Sequence, residues 1–360
     1  MTEIINDIGA MDTGDNKKDI RTCSLKELKV IIESMGEKAF RAAQIFSWLH
    51  EKKVESFDEM TNISNALKDK LSGEYDIYKV EPVEVLKSKI DGTRKYIHRL
   101  HDGNVIESVL LQYEYGNSVC ISSQVGCRMG CKFCASTVDG LERNLTAGEM
   151  AGQIYAIEKE CGQRVGHVVI MGSGEPMDNY DNFLRFVELI THEKGANISG
   201  RNITVSTCGI VPKIYELAER KLSITLALSL HATTNEKRKE IMPIANKYSL
   251  DEIISACKNY FDKTGRRITL EYSLIAGKND TDEDAKRLIS IASELNSHVN
   301  LIPVNPIKER DYKATNHQAV VEFKNKLEKR HINATVRRTM GQDIDASCGQ
   351  LRKRYMEKTK

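Results

Sequence analysis

The stretch Cys120-Ile-Ser-Ser-Gln-Val-Gly126-Cys127-Arg-Met-Gly130-Cys131-Lys-Phe133-Cys134-Ala decides how this chain is read. Four cysteines fall within fifteen residues, and three of them, Cys127, Cys131 and Cys134, form a C-x3-C-x2-C triplet. Thiolates suit zinc and iron–sulfur, and a short loop with these spacings can wrap three corners of one metal cluster. Gly126 and Gly130 give the loop the backbone freedom it needs. A structural zinc site closes with a fourth ligand, commonly from a second C-x2-C or His pair. No second pair exists here, although Cys120 could serve. Three ligands to a cubane cluster leave one iron open for a small molecule.

Outward from this loop, short β-branched runs alternate with amphipathic segments. An apolar run at 118–123 leads in, and Thr146-Ala-Gly-Glu149 is a capping box opening a helix to about Cys161. His167-Val-Val-Ile-Met171 reads as a buried strand. Further strands are predicted at 202–206, 223–230, 267–274, 298–304 and 332–337, with helices near 181–192, 211–220, 250–262, 281–295 and 315–330. This rhythm predicts parallel strands with crossover helices. The expected fold class is α/β, a partial, open (β/α)6 TIM-like barrel over 116–345. Ligands then gather at the C-terminal ends of the strands. Polar groups stand where those ends should be: Gly174 and Glu175 in Met171-Gly-Ser-Gly-Glu-Pro176, Ser206, Ser229-Leu230-His231 and Asn305. Singly, each reads as a cap or turn residue; at the ends of successive strands they read as one site.

The first 115 residues break the rhythm. Residues 1–22 are expected to be disordered. A helical unit is expected over 23–78, with a capping box at Ser24-Leu-Lys-Glu27 and helices near 24–35, 39–53 and 62–73. Phe46 and Trp48 read as its core. An antiparallel β extension is expected over 79–115, because Asp91-Gly92 and Asp102-Gly103 sit between alternating apolar runs as hairpin turns do. Residues 346–360 form a separate last segment holding Cys348 and the basic run Arg352-Lys353-Arg354.

The composition is that of a globular chain: 360 residues, 40% hydrophobic, 29% charged and 6% aromatic, which excludes a disordered or collagen-like protein. No window approaches a membrane span and no signal peptide is visible, so a cytoplasmic location is expected. The balance of 53 basic and 51 acidic residues neither demands nor excludes nucleic acid. Nine cysteines are out of line, and an odd number without an export signal argues against a disulfide scaffold. Cys23, Cys161 and Cys257 sit in or beside apolar helical patterns and read as small buried hydrophobes. Cys208 is left without an assignment. Cys348 lies in a glycine-flanked segment where a structural cysteine is unusual.

The triplet, with Phe133 before its last cysteine, resembles the cluster loop of the radical S-adenosylmethionine (SAM) superfamily. Gln-Val-Gly-Cys127, Gly-Glu175-Pro176, Ser229-Leu230-His231 and Asp343-Ile-Asp-Ala-Ser-Cys348-Gly-Gln-Leu351 together resemble the RlmN/Cfr family of rRNA adenine methyltransferases, from about Ser24 to Leu351. The resemblance implies a [4Fe-4S] cluster on Cys127, Cys131 and Cys134. It implies SAM contacts at Gly174, Glu175, Ser206, Ser229, Leu230, His231 and Asn305, and two SAM per turnover. One SAM methylates Cys348, and the other yields a deoxyadenosyl radical that takes hydrogen from that methyl. The carbon radical adds to carbon 2 of an adenine, and Cys120 attacks Cys348 to release the product and leave a disulfide. A radical route suits this carbon, which is electrophilic and cannot attack the SAM methyl itself. Glu107, in Val105-Ile-Glu107-Ser-Val, matches the family's base position; its other reading is a solvent-facing strand carboxylate.

The implied partners are 23S rRNA at the peptidyl transferase centre, tRNA at the adenosine 3′ to the anticodon, and an electron donor such as flavodoxin or ferredoxin. No membrane is implied, and a monomer is expected. Lys68, Lys70, Lys308, Arg310, Arg337, Arg338 and the basic tail offer phosphate contacts. Two other readings compete. One is a Cfr-type enzyme attacking carbon 8, against which Gly-Glu175-Pro176 and Asn300-Leu-Ile-Pro-Val-Asn305-Pro speak. The other is a non-enzymatic zinc or iron–sulfur RNA-binding protein, which leaves Cys348 and the Gly-Glu loop without a task.

Overall fold

The computed structural model of the chain describes residues 17–351. Residues 1–16 and the basic run Arg352-Lys353-Arg354 lie outside the described residues. Strand β1 (Lys18–Asp19) enters a helical unit of α1 (Leu25–Ser34), α2 (Phe40–His50) and α3 (Asn65–Glu74), closed by β2 (Tyr75–Asp76), which pairs in parallel with β1. Ser24 and Glu27 form the expected capping box on α1. Residues 17–22, expected to be disordered, are ordered instead. Ile20 is fully buried, and Arg21 donates to the carbonyls of Tyr78 and Val54 at 2.8 Å each. The sequence shows a short polar segment; its order comes from partners far along the chain.

Strands β3 (Glu81–Lys87), β4 (Arg94–Arg99) and β5 (Val105–Tyr113) form an antiparallel meander. Its turns place Gly92 and Gly103 at φ 76° and 83°, the left-handed region that the two Asp-Gly pairs predict. β5 pairs antiparallel with β6 (Gly116–Ile121), so the meander and the barrel share one sheet. After β6, a short hairpin of β7 (Gln124–Gly126) and β8 (Leu141–Asn144) brackets the cysteine triplet. There a Cβ on Gly126 would stand 2.0 Å from the Gly140 carbonyl oxygen, so only glycine fits.

The remaining elements are α4 (Ala147–Cys161), β9 (Val165–Ile170), α5 (Tyr180–Thr191), β10 (Ile203–Thr207), α6 (Val211–Arg220), β11 (Thr225–Ser229), α7 (Asn235–Ile241), α8 (Leu250–Thr264), β12 (Thr269–Leu274), α9 (Asp282–Glu294), β13 (His298–Pro303), α10 (His317–Glu328) and β14 (Ala334–Val336). The main sheet has ten strands in the order β14-β13-β12-β11-β10-β9-β6-β5-β4-β3, parallel from β6 to β14. It is an open α/β barrel, with β14 as a short last strand inside the one expected over 332–337. Among the described residues no helix is long and apolar enough to cross a membrane.

The helical unit docks on α4. A Cβ on Gly148 would stand 2.8 Å from Thr22 Oγ1, so the small residues of α4 let the unit approach closely. Phe46 is in the core, as expected, while Trp48 lies at its edge, donating from Nε1 to Asn62 Oδ1 at 2.6 Å. This packing leaves the C-terminal ends of the barrel strands open.

Candidate active site at the barrel mouth

The strand ends surround a cavity of about 150 Å³. Its wall includes Cys127, Cys131 and Cys134 together with Gly174, Glu175, Ser206, Ser229, His231, Asn305 and Cys348. Residues scattered over more than 200 positions are thus brought to one place by the parallel topology. A second cavity adjoins the first and is lined by Cys120 and, again, by Cys134, Asn305 and Cys348. Cys348 therefore stands in the shared wall, between the triplet and Cys120. All nine cysteines are free thiols.

The triplet hangs on a loop pinned at both ends. Cys127 N–H donates to the Gly140 carbonyl at 2.9 Å, and Lys132 N–H donates to the Ile241 carbonyl at 2.9 Å. Burial pushes the Cys127 thiol up to about 12 and is the main cause of the upward shifts at Cys131 and Cys134. Neighbouring triplet sulfurs add to the shift at Cys127 and Cys131. Such thiols stay neutral until a cationic centre draws off their protons. Among the described residues no three His, Cys, Asp or Glu side chains converge closely enough to share one metal ion. The three thiols share one cavity wall, and thiolate donors suit an iron–sulfur cluster.

Glu175 is buried, and both its oxygens are engaged. Oε2 accepts from Cys208 N–H at 2.7 Å and Oε1 from Met177 N–H at 3.1 Å. Burial raises its pKa, with those N–H donors opposing. Gly174 sits at φ 109°, where a Cβ would stand 2.6 Å from Ser123 Oγ. The Gly-Glu loop is thus pressed against β7 with no room for a side chain. Ser206 and Ser229 are linked Oγ to Oγ at 3.2 Å.

His231, at φ 54°, accepts from Ser273 N–H through Nδ1 at 2.9 Å, so the neutral ring carries its proton on Nε2. Burial drives its pKa down to about 3. Phe133 meets the ring edge-on at 4.8 Å. Leu230, expected at the site, is fully buried in the main core and is not among the residues that line the cavity.

The Cys348 segment is held from three sides. Asn305 Nδ2 donates to the Cys348 carbonyl at 3.0 Å, Ala135 N–H donates to Gly349 O at 2.7 Å, and Lys95 Nζ donates to Asp345 O at 3.3 Å. Burial, then the Cys348 sulfur, pushes Cys120 up to about 12. Glu107 is buried rather than solvent-facing. It pairs with the buried Lys95 at 3.1 Å and lines a small separate cavity that also touches Ser136, a residue of both larger cavities.

Sequence reasoning missed several residues of the mouth. Glu271 is buried in the main cavity wall and accepts from Asn300 Nδ2 at 2.8 Å. It is in register with Ser229 and Asn300 on neighbouring strands, so a polar layer crosses the barrel interior; that every-other-residue polarity was the available signal. Arg337, read as a phosphate contact, instead lies between the two cavities, with Nη1 3.9 Å from Glu271 Oε2. The Cys348 sulfur and then Glu271 raise its pKa against burial. Cys208 also lines the cavity, beside Cys131.

An open barrel that gathers a three-cysteine loop, a Gly-Glu loop and strand-end polar groups around one cavity defines a radical SAM enzyme, and residues 121–290 match the model of the Radical SAM superfamily. Residues 18–77 match the model "Ribosomal RNA large subunit methyltransferase N-terminal domain". The crystal structure of a radical SAM methyltransferase from Sphaerobacter thermophilus is similar with a TM-score of 0.88 at 40% identity, covering 93% of this chain and 99% of that one. A protein of Lachnospira eligens described as "Probable dual-specificity RNA methyltransferase RlmN" is 60% identical over 339 residues, 94% of this chain and 97% of that protein. One of Clostridium perfringens with the same description is 54% identical over 340 residues, 94% and 98% of the two chains. The chain belongs to the RlmN family of radical SAM RNA methyltransferases, and membership implies a [4Fe-4S] cluster and SAM.

Proposed function

We propose that this chain methylates carbon 2 of an adenosine in 23S rRNA, and of the adenosine 3′ to the anticodon in some tRNAs, through a methyl group carried on Cys348. The observation that carries the reading is the position of Cys348 in the wall shared by the two cavities. From there it can meet SAM on one side and Cys120 on the other. The names of the relatives support RNA of two kinds as substrate.

In this reading Cys127, Cys131 and Cys134 hold the cluster, and Glu175 accepts from the SAM ammonium. Ser206, Ser229, His231 and Asn305 border the rest of SAM. The cluster and SAM together supply a one-electron route to a carbon radical. Cys348 takes a methyl from one SAM, breaking the sulfonium–carbon bond and releasing S-adenosylhomocysteine. After that carbon is joined to the adenine, Glu107 removes the ring proton and Cys120 attacks Cys348 sulfur. The disulfide formed is reduced before the next turnover. Arg337, beside both sulfurs, favours the thiolate of Cys120 that this attack needs. The target base leaves its stack to reach a cavity this deep.

Residues 23–78 would engage RNA, with 79–115, 116–345 and 346–360 as β extension, barrel and catalytic segment. A flavodoxin or ferredoxin as donor, action as a monomer and a cytoplasmic location go with the reading. The test is anaerobic incubation of the reconstituted protein with protein-free 23S rRNA, tRNA, SAM and a reductant, then nucleoside mass spectrometry. 2-Methyladenosine in both RNAs is the expected product. 8-Methyladenosine would transfer the chain to the carbon-8 chemistry, and one tight zinc without SAM cleavage would remove the enzyme reading altogether.

A further inference from the structure

Helix α7 carries the largest fully buried side chain of the described residues, Arg238. Its guanidinium ties together the ends of two barrel strands. Nη2 donates to the Cys208 carbonyl at 2.6 Å and to the Ser229 carbonyl at 3.2 Å, and Nε donates to the Leu230 carbonyl at 3.2 Å. Nη1 is buried and has no partner. No carboxylate lies within ion-pair distance among the described residues. A buried cation without a counter-charge is strongly disfavoured, and burial pulls the Arg238 pKa down accordingly. The groups of opposite potential charge that it senses are thiols: Cys208, then Cys131 and Cys257.

Its place explains why the charge is tolerated. Ile241, one turn along α7, accepts from Lys132 N–H of the triplet loop at 2.9 Å. Pro243, just beyond, lies against Gly130, where a Cβ would meet its Cγ at 3.2 Å. Arg238 is thus on the helix that braces the loop and is hydrogen-bonded to Cys208, which packs with Cys131 in one apolar cluster on the cavity wall. A cubane held by three thiolates is net negative, and one unit more so once reduced.

We propose that Arg238 is a positioning residue for the iron–sulfur cluster: its buried positive charge answers the cluster's negative charge and raises the cluster's reduction potential. The proposal rests on the reading of Cys127, Cys131 and Cys134 as cluster ligands. Potentials of such clusters follow net charge and hydrogen bonding around the sulfurs, so a fixed cation near Cys131 favours uptake of the single electron from the donor. The same side chain holds Cys208, whose N–H is bound by Glu175, and so links the charge to the Gly-Glu loop.

The test compares wild type with Arg238→Gln, Arg238→Met and Arg238→Lys after anaerobic reconstitution. Three readouts are taken: iron and sulfide per chain, the potential from an EPR-monitored dithionite titration, and the thermal midpoint with and without the cluster. Expected are a lower potential in the Gln and Met variants, a near wild-type potential in the Lys variant, and a smaller gain in thermal midpoint on cluster binding when the charge is gone. Cluster retained by Lys and lost by Gln and Met also supports the proposal. Unchanged potentials in Gln and Met overturn it, as does an equal drop in Lys or loss of the cluster from all three. Failure of all three to fold assigns Arg238 to the scaffold and likewise overturns it. A wild-type chain that takes up no cluster removes the premise, which is a separate result.

Discussion

Two arginines are buried among the described residues, and their surroundings differ. Arg21, in the N-terminal helical unit, is 3% exposed and donates to two carbonyls; Arg238, at the barrel mouth, is fully buried and donates to three. Each leaves one guanidinium nitrogen without a partner. Arg21 likewise makes no ion pair among the described residues, but it lies over the Tyr155 ring at 5.8 Å, and its attraction opposes the burial that pushes the Asp19 carboxyl up to about 6. Arg238 senses thiols instead. The helical unit holds a carboxyl that its buried cation attracts, whereas in the proposed reading a bound group answers the charge at the mouth. Substitutions at the mouth should therefore remove activity and spare folding, and substitutions in the helical unit should do the reverse.

The largest effect is expected at Cys120. Cys120→Ala should stop after one turn, with RNA held covalently on Cys348 and visible as an adduct on a denaturing gel. Loss of one buried sulfur should change stability by only about 1 kcal/mol. Repeated turnover by this variant would end the two-cysteine scheme.

Next is Phe46→Ala, which empties a fully packed site between α2 and the barrel helices. A loss of about 3–5 kcal/mol in urea unfolding is expected, with near wild-type activity per folded molecule. Activity lost at unchanged stability would instead make Phe46 a contact for RNA.

The smallest effect is on pH. Burial drives His50 in α2 and His98 in β4 down to about 3. Their folded pKa lies below the ordinary value near 6.5, so the unfolded chain binds more protons between those limits. Stability is full above about pH 6.5 and declines as pH falls toward 3. His50→Gln should flatten part of that decline, measured by urea midpoints at stepped pH. An unchanged slope would mean that His50 does not take part.

What was legible in the sequence was local. The capping boxes at Ser24 and Thr146, the Asp-Gly turns and the strand–helix rhythm each rest on neighbours a few residues apart, and the structure has them where they were expected. The three cysteines were legible for the same reason. Helix α7 was not, because its seven residues are mostly charged and show no apolar stripe. Arg238 reads in sequence as one more surface charge; only the closing of β10 and β11 over it makes it internal. Glu271 was passed over because a charged residue on a strand ordinarily faces water, and Arg337 was read as a surface phosphate contact for the same reason. Here that side is the cavity inside the barrel, and Glu271 is buried in its wall.

The pairing of β5 with β6 bears on modularity. The N-terminal third looks detachable on a linear map, yet cutting at residue 116 would split a sheet through its middle rather than at a linker. β6, which carries Cys120, would become a bare edge strand, with its Val109 partner gone and its backbone groups open to any other chain. Inheritance, recombination and engineering alike must carry the meander with the barrel, since Cys120 is aligned by a strand that the barrel does not itself encode.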